Sequence, residues 1–224
     1  MIKPSKIFEV YESEEGKRKQ LYTINLVPGR TVYGEKLIKE NDTEFRAWDP
    51  YKSKMASTIL KGSLNIGMRK NDAVLYLGSA SGTTVSHISD IVGENGFIFA
   101  VDVSPRVMRD LIFLCYKRQN IAPILADANK IDVIKERVSA VDVVYQDIAQ
   151  RNQFEIFLKN VNLFLNSNGY ALLAVKSRSI DVTKQPKLIF KDIRLKLEKE
   201  LTIIDYRDLS PYQKDHCMFI CKKK

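Results

Sequence analysis

The chain has 224 residues, 45% of them hydrophobic, and its 36 basic residues outnumber its 27 acidic ones, for a net charge of +9. This length suits one α/β domain with a small additional unit. No run of 18 apolar residues occurs, which predicts no membrane span, and the N-terminus lacks the apolar core of a signal peptide. The positive charge favours a polyanionic partner, although a generally basic protein without such a partner would have the same composition.

The first 50 residues differ in pattern from the rest. Apolar and polar residues nearly alternate in two segments separated by the charged stretch 12–17, which predicts a hairpin. Two further segments flank the turn residues Asn41 and Asp42. We therefore predict a small antiparallel β-domain over residues 1–50, whose exposed face is either a docking surface or a solvated lid. The predicted strands are residues 6–11, 19–26, 33–38 and 44–48.

A second domain is predicted over residues 51–224. It begins with a helix over residues 53–64. Lys54 lies near its start, and sequence context alone favours a solvated surface lysine there. From residue 73 onward strands and helices alternate, which predicts a mainly parallel sheet covered by helices on both faces. The predicted strands are 73–78, 97–102, 122–126, 141–146, 170–175, 201–206 and 217–221. A helix follows the first of these strands and ends near residue 92, and later helices are predicted over 105–117, 152–165 and 183–200.

The strongest functional signal is the stretch 73–84. An apolar strand runs into Gly78 and Gly82, which lack a Cβ and so let the backbone approach a ligand. The next strand ends at Asp102, where an acid holds the hydroxyls of a nucleotide ribose. The turn lacks the full GxGxxG spacing of nicotinamide domains, and the last two strands are too close in sequence for a parallel crossover. A seventh, antiparallel strand is the pattern of S-adenosylmethionine-dependent methyltransferases, so this α/β fold and this cofactor are predicted.

Several motifs resemble the fibrillarin family in kind and order. They are DPYKSKMA (49–56), YLGSASGTTVSHISDIVG (76–93), VDVSPR (101–106), DANK (127–130), QDIAQ (146–150), VKSRSID (175–181) and YQKDHCMF (212–219). The chain is similar to the archaeal form, without a Gly/Arg-rich tail. The resemblance implies a 2′-O-methyltransferase acting on ribosomal and transfer RNA within a box C/D guide-RNA particle, located in the archaeal cytoplasm. Its implied partners are guide RNA, substrate RNA, a Nop-domain scaffold protein and a kink-turn-binding protein of the ribosomal type.

Carried over position by position, the resemblance implies two sets of site residues. The catalytic set is Lys54, Asp147, Lys176 and His216. The cofactor-binding set is Gly78, Ala80, Ser81, Gly82, Thr83, Thr84, Asp102, Val103, Asp127, Ala128, Asp147 and Gln150. The family often has Glu at the position of Asp102, and usually has an Arg-containing segment where this chain has Lys130. No metal is implied for methyl transfer.

Topology supports the catalytic set independently. Asp147 and Lys176 follow parallel strands and His216 precedes the antiparallel one, so all three are expected at the carboxyl edge of the sheet. Lys176 is expected to orient the ribose hydroxyl and, if neutral, to accept its proton. The charge of Lys54 would lower the pKa of Lys176, whereas Asp147 would raise it. The alternatives are a guide-free RNA 2′-O-methyltransferase, a small-molecule methyltransferase, which the positive charge disfavours, and a non-enzymatic RNA-binding scaffold.

The remaining reactive residues are expected to be structural. His87 lies on the helix after the glycine turn without ionisable neighbours in the sequence pattern. The three cysteines, Cys115, Cys217 and Cys221, include no CxxC pair and are predicted to be reduced and buried. The aromatic residues Tyr33, Phe45 and Trp48 are predicted either to form a docking surface for a partner or to be the core of the β-domain.

Overall fold

The computed structural model describes residues 1–15 and 18–224. Its first strands are β1 (Lys3–Pro4), β2 (Tyr11–Glu15), β3 (Arg18–Ile24), β4 (Leu37–Glu40) and β5 (Thr43–Trp48). They form one antiparallel sheet in the order β1-β2-β3-β5-β4. The predicted antiparallel unit is therefore confirmed. Of the charged stretch 12–17, residues 12–15 belong to β2, and residues 16–17 lie outside the described residues.

The predicted first strand over residues 6–11 is wrong. The buried positions there are Ile7 and Val10, and the Val10 N–H donates to the Ile7 carbonyl at 3.2 Å. Between them, Glu9 adopts a left-handed conformation with φ 54°, which few residues other than glycine adopt outside turns. The two apolar side chains are therefore buried by a turn, and the strand begins only at Tyr11.

The second sheet contains the strands β6 (Ala73–Leu77), β7 (Phe97–Asp102), β8 (Ile121–Leu125), β9 (Val141–Gln146), β10 (Leu165–Lys176), β11 (Leu201–Asp208) and β12 (His216–Lys223). They lie in the order β11-β12-β10-β9-β6-β7-β8. The pairs from β10 to β8 are parallel, whereas β12 runs antiparallel to both β10 and β11. The predicted sheet of seven strands with an antiparallel last strand is confirmed.

The described helices are α1 (Lys54–Leu60), α2 (Thr83–Val92), α3 (Pro105–Cys115), α4 (Ile131–Lys135), α5 (Gln153–Phe164), α6 (Ser177–Ile180) and α7 (Pro186–Glu200). α1 ends before the predicted residue 64, because Gly62 has φ 91° and breaks the helix. α7 begins later than predicted, at Pro186, which suits a first helical position. The sequence analysis missed α4 and α6, since such short helices show no clear periodicity.

Hydrophobic clusters cover both faces of the larger sheet. Consecutive residues such as Tyr76 and Leu77 of β6 belong to opposite clusters, as the pleat of a strand requires. The cluster that contains Tyr76 also contains Leu21 and Trp48 of the smaller sheet. The two sheets therefore share one core through this face, and a domain boundary at residue 50 stays a prediction.

A group of buried charges, which we call the Arg46 cluster, joins the smaller sheet to α2 and to the segment between α3 and β8. Arg46 lies 2.6 Å from Glu35 and 2.7 Å from Asp90, and Arg118 lies 2.6 Å from the same Asp90. Asp90 also accepts hydrogen bonds from the Thr23 hydroxyl at 2.7 Å and the Leu26 N–H at 3.0 Å. α2 starts at the glycine turn, so the cluster fixes the helix that follows the predicted cofactor loop. The residues of the cluster are Glu35, Arg46, Asp90 and Arg118.

The aromatic residues of the smaller sheet belong to its core. Trp48 is fully buried and stacks on the ring of His87 with centroids 4.8 Å apart, and Phe45 is buried as well. The Tyr33 hydroxyl lies 2.8 Å from His87 Nε2. Of the two predicted alternatives, the core of the β-domain is therefore confirmed for Trp48 and Phe45, because their packing leaves no exposed face. The structural role predicted for His87 is confirmed by its complete burial.

The cysteine prediction holds in part. Cys217 and Cys221 are free thiols buried in β12, whereas Cys115, at the end of α3, is free and only partly buried. Burial raises the pKa of all three thiols, that of Cys115 to about 11. Across residues 1–15 and 18–224, no helix combines the length and the apolar character needed to cross a bilayer.

Candidate active site

The four residues of the predicted catalytic set meet at the carboxyl edge of the larger sheet. Asp147 follows β9, and its N–H donates to the Leu77 carbonyl at the end of β6 at 2.8 Å. Lys176 is the last residue of β10 and His216 the first of β12, and the two are paired directly in the antiparallel register. Lys54 reaches the same edge from the first position of α1. Residues far apart in sequence are thus brought together, as the topology predicted.

Lys54 and Asp147 form a partly shielded ion pair. Lys54 Nζ lies 2.7 Å from Asp147 Oδ1 and 3.0 Å from Oδ2, and the side chains are 19% and 18% exposed. Ser53 anchors the start of α1, since its Oγ accepts from the Ala56 N–H at 3.4 Å and from Thr84 Oγ1 at 3.0 Å. Lys54 is therefore held by α1 and α2 against the carboxylate and is not a freely solvated surface lysine.

His216 is arranged as a neutral imidazole with its proton on Nδ1. Its Nδ1 lies 2.7 Å from the Lys214 carbonyl. A carbonyl can only accept, so Nδ1 carries the proton and Nε2 keeps its lone pair. Burial, followed by the positive charge of Lys54, lowers the pKa of His216 below 6.5. At pH 7 the ring is consequently neutral and able to accept a proton at Nε2.

A buried glutamine missed by the sequence analysis holds Lys176 in place. Gln153, the first residue of α5, is fully buried. Its Oε1 accepts from the Lys176 N–H at 3.2 Å, and its Nε2 donates to the Gln150 carbonyl at 2.9 Å. Gln153 therefore links a predicted catalytic residue to a predicted cofactor residue. The sequence contained no distinguishing signal for it, because α5 also carries Glu155, Lys159 and two asparagines.

A second tie joins the residue after Lys176 to the residue before His216. Ser177 Oγ donates to the Asp215 carbonyl at 2.9 Å, and Arg178 Nε lies 3.0 Å from the Asp215 carboxylate. These contacts fix the ends of β10 and β12 relative to one another. The paired Lys176 and His216 therefore stand on a constrained edge, which favours a reproducible geometry between their side chains.

A cavity of about 300 Å³ opens beside Asp147. Its volume is at the lower end of the range of small-molecule sites. From the predicted cofactor set, the cavity is lined by Gly78, Ala80, Asp102, Val103, Ala128, Asp147 and Gln150. The lining also includes Val101, Ala126, Ile148 and Ala149, which the sequence analysis missed although each adjoins a predicted residue. The remaining predicted residues, Ser81, Gly82, Thr83, Thr84 and Asp127, do not line it.

The two glycines of the turn have different roles. A Cβ at Gly78, which has φ 85°, would lie 2.5 Å from the Asp147 carbonyl oxygen, so only glycine fits between the two strand ends beside the cavity. A Cβ at Gly82 would instead meet a side-chain carbon of Leu114 on α3 at 2.5 Å. This glycine therefore permits close packing of α2 against α3, and the predicted approach of a ligand to its backbone stays a prediction.

Two acids predicted to bind the nucleoside are placed differently. Asp102 lines the cavity, and its carboxylate accepts from the Ala80 N–H at 2.8 Å and the Ser104 N–H at 2.9 Å. Each oxygen keeps a lone pair for a ribose hydroxyl. Asp127 instead turns to its own loop and accepts from the Asn129 N–H at 2.9 Å. The fit to a nucleoside cofactor thus rests on Asp102, on Gly78 and on small residues along the cavity wall.

Comparison with known proteins identifies the family. The family model described as Fibrillarin matches residues 2–224. The chain belongs to the fibrillarin family. One similar protein is the fibrillarin-like rRNA/tRNA 2′-O-methyltransferase of Methanosarcina barkeri, which is 50% identical over 222 residues, 97% of this chain and 96% of that protein.

Two solved fibrillarin structures share the fold over almost the whole chain. Aeropyrum pernix fibrillarin, crystallised with natively bound S-adenosyl-L-methionine, is 42% identical, has a TM-score of 0.90, and covers 99% of this chain and 97% of its own. A chain from a crystal structure of a fibrillarin/Nop5p complex is 39% identical, has a TM-score of 0.88, and covers 97% of this chain and 99% of its own. The predicted methyltransferase fold is therefore confirmed.

Proposed function

We propose that this chain transfers the methyl group of S-adenosylmethionine to ribose 2′-hydroxyl groups of ribosomal and transfer RNA. The observation that carries the proposal is the position of Asp147, which both lines the cavity and binds Lys54. A methyl donor in the cavity would therefore lie beside the four converging residues. The name of the Methanosarcina barkeri relative and the cofactor of Aeropyrum pernix fibrillarin support this assignment.

The cavity residues fit the parts of such a cofactor. Asp102 would accept hydrogen bonds from the ribose hydroxyls, and the small side chains of Ala126 and Ala128 leave room for a flat base. Asp147 and Gln150 line the end that is continuous with the catalytic set. When bound, S-adenosylmethionine supplies an electrophilic methyl group on a sulfonium.

The side chains at the carboxyl edge of the larger sheet would orient the ribose hydroxyl and accept its proton. Lys176 would donate a hydrogen bond to the 2′-oxygen and orient it, while Asp147 keeps Lys54 in place. We assign proton acceptance to His216, whose neutral ring offers Nε2. Holding the hydroxyl in line with the methyl donor is expected to supply the largest share of the acceleration, since effective molarities are worth about 7–11 kcal/mol.

We further propose that the chain acts inside a guide-RNA particle. It would be assembled with guide RNA, a Nop-domain scaffold protein and a kink-turn-binding protein of the ribosomal type, and a cytoplasmic location remains a prediction. The fibrillarin/Nop5p complex supports the scaffold partner. The net charge of +9 provides phosphate contacts that are independent of sequence, so selection of one ribose requires an additional component.

Labelled-methyl transfer in a reconstituted particle tests both proposals. Each component is omitted in turn at fixed salt, with S-adenosylmethionine binding measured in parallel. We expect site-specific methylation only from the complete set. Efficient methylation of unguided RNA by the chain alone would instead favour the guide-free enzyme, and cofactor binding without methylation in any combination would favour a non-enzymatic scaffold.

A further inference from the structure

A pair of buried glutamines lies behind the catalytic edge. Gln146 is the last residue of β9, Gln153 is the first residue of α5, and both are fully buried. Gln146 Nε2 donates to the Gln153 carbonyl at 2.6 Å. Because a carbonyl can only accept, this contact determines which end of the Gln146 amide faces α5. The strand end that precedes Asp147 is thereby tied to the start of α5.

The Gln153 side chain extends the sheet beyond the end of β9. The parallel pairing of β9 with β10 ends at Gln146 and Leu173. Past this point Gln153 Oε1 accepts from the Lys176 N–H at 3.2 Å, and Gln153 Nε2 donates to the Lys176 carbonyl at 3.4 Å. A side-chain amide thus provides the acceptor and the donor that a neighbouring strand would otherwise supply.

The same amide also holds the loop that lines the cofactor cavity. Gln153 Nε2 donates to the Gln150 carbonyl at 2.9 Å, and residues 148–150 belong to the cavity wall. A primary amide nitrogen carries two hydrogens, so one serves the cofactor loop and the other serves Lys176. One buried side chain therefore contacts both the wall of the cofactor site and the residue proposed to orient the ribose hydroxyl.

These contacts of Gln153 cannot change independently, because resonance keeps an amide group planar. A rotation of the amide that follows a displaced Gln150 carbonyl also carries Oε1 away from the Lys176 N–H. Burial makes such a change costly, since a buried donor or acceptor that loses its partner is not compensated by bulk water. The cofactor loop and the main chain of Lys176 are therefore expected to be ordered together.

We propose that Gln153 is a positioning residue that couples occupancy of the cofactor cavity to the placement of Lys176. A ligand that holds residues 148–150 also holds the Gln150 carbonyl, and through the Gln153 amide it holds the main chain of Lys176. The coupling is reciprocal, so a well-placed Lys176 also favours the bound cofactor. The inference rests on the proposed function, because it takes Lys176 to act on the ribose hydroxyl.

Hydrogen exchange at the Ser177 amide tests the coupling without turnover. The Ser177 N–H donates to the Asp215 carbonyl at 3.2 Å, a contact in which Gln153 has no part. Exchange is measured by NMR on the full chain with and without S-adenosylhomocysteine, the cofactor product. We expect the ligand to slow this exchange by about five- to tenfold in the parent. Gln153→Met keeps a similar length without the amide, and should bind the ligand but lose this response.

The matched control is Asn120→Leu, at the opposite edge of the same sheet. Asn120 precedes β8 and is also buried. Its Nδ2 donates to the Ser89 and Gly93 carbonyls at 3.2 Å and 2.9 Å, and its Oδ1 accepts from the Ser89 hydroxyl at 2.8 Å. Asn120→Leu thus removes the same kinds of contact as Gln153→Met, and both should lower the melting temperature. The response of Ser177 to the ligand should stay as in the parent in Asn120→Leu.

Gln153→Glu provides a second variant that keeps the shape of the amide. Its carboxyl can donate to the Gln150 carbonyl when protonated and has no hydrogen to donate when ionised. The response of Ser177 to the ligand should therefore be present at acid pH and disappear as the carboxyl ionises, with the parent measured at the same pH values. A response that follows the parent at every pH would contradict the role of the Gln153 donor.

Rates in the assembled particle separate positioning from general loss of stability. At saturating cofactor, Gln153→Met should lower kcat by about tenfold with little change in KM for RNA, while Asn120→Leu stays close to the parent. Equal rate losses in the two variants, or a parent whose Ser177 exchange does not respond to the ligand, would overturn the proposal. A parent that responds to the ligand but does not methylate RNA would support the coupling and contradict the proposed function.

Discussion

Two ionic groups in this molecule contain the same kinds of side chain in opposite settings. In the Arg46 cluster the charged side chains are at most 2% exposed, whereas those of Lys54 and Asp147 are 19% and 18% exposed. In the cluster each oxygen of Asp90 has two protein partners. Lys54 has Asp147 as its hydrogen-bond acceptor in the described residues, and an ammonium can donate three hydrogen bonds.

The difference separates structural from functional charge. A fully buried carboxylate with every lone pair used has nothing left for a ligand, and removal of Asp90 leaves Arg118 without an ion-pair partner and Arg46 with Glu35 alone. A partly exposed pair at a cavity contributes little to stability. Its side chains can still form hydrogen bonds with a ligand at the place where the reaction occurs. Mutations in the two groups should therefore affect different observables.

The largest effect is expected from Asp90→Ala. It leaves Arg46 and Arg118 buried without their shared partner, and should lower the free energy of unfolding by about 3–5 kcal/mol, as measured by denaturant or thermal melting. The matched control is Glu198→Ala, which breaks the exposed pair with Arg194 and should cost less than about 0.5 kcal/mol. Similar melting curves for both variants would contradict the structural role of the cluster.

Lys176→Ala should reduce activity and leave stability nearly unchanged. We expect single-turnover methylation in the assembled particle to fall by about a hundredfold or more, with the melting temperature and S-adenosylmethionine affinity nearly unchanged. Lys176→Arg should also fail, because guanidinium differs in shape and in hydrogen-bond geometry. A near-normal rate for either variant would remove Lys176 from the catalytic set.

Asp102→Ala tests a carboxylate that has both a structural and a functional role. It accepts backbone hydrogen bonds in the turn and is proposed to bind the cofactor ribose. Loss of its charge-assisted hydrogen bonds should weaken cofactor binding by roughly 1.5–3 kcal/mol, as measured by calorimetry. Asp102→Asn keeps part of the acceptor capacity and should have a smaller effect. Unchanged affinity in Asp102→Ala would exclude the ribose contact, while a matching loss of stability would indicate that Asp102 mainly supports the turn.

The smallest effects are expected from a change of pH, to which the two histidines should respond differently. His87 should affect the stability of the fold, and His216 should affect the methylation rate. Burial, followed by neighbouring cations, lowers both pKa values from 6.5, that of His87 strongly. The unfolded state takes up protons below pH 6.5 that folded His87 does not, so stability is full above that pH and declines as pH falls further. The methylation rate at pH 6.5 should stay within about twofold of its value at pH 8, because His216 remains mostly neutral.

The same pH series carries its own control. His216→Asn should lower the methylation rate and abolish its acid limb, yet retain most of the acid dependence of melting, which belongs largely to His87. An acid limb that persists in His216→Asn would show that another group accepts the proton.

The alternation of elements from residue 73 onward predicted the α/β sheet, its antiparallel last strand and the edge where Asp147, Lys176 and His216 meet. These features follow from local patterns, because parallel strands require crossovers and place their ends on one side. The glycine turn and Asp102 were likewise predicted from residue type and spacing. The family resemblance added Lys54, whose solitary position in the sequence gave no comparable signal.

The tertiary structure alone decided which residues with similar local sequence are buried, paired or free. It placed Gly82 against Leu114, turned Asp127 toward its own loop, and buried Trp48 against His87. It also placed Gln153 behind Lys176 and enclosed Asp90 between two arginines. These outcomes depend on contacts between residues distant in sequence, whereas periodicity and spacing report only on neighbours along the chain.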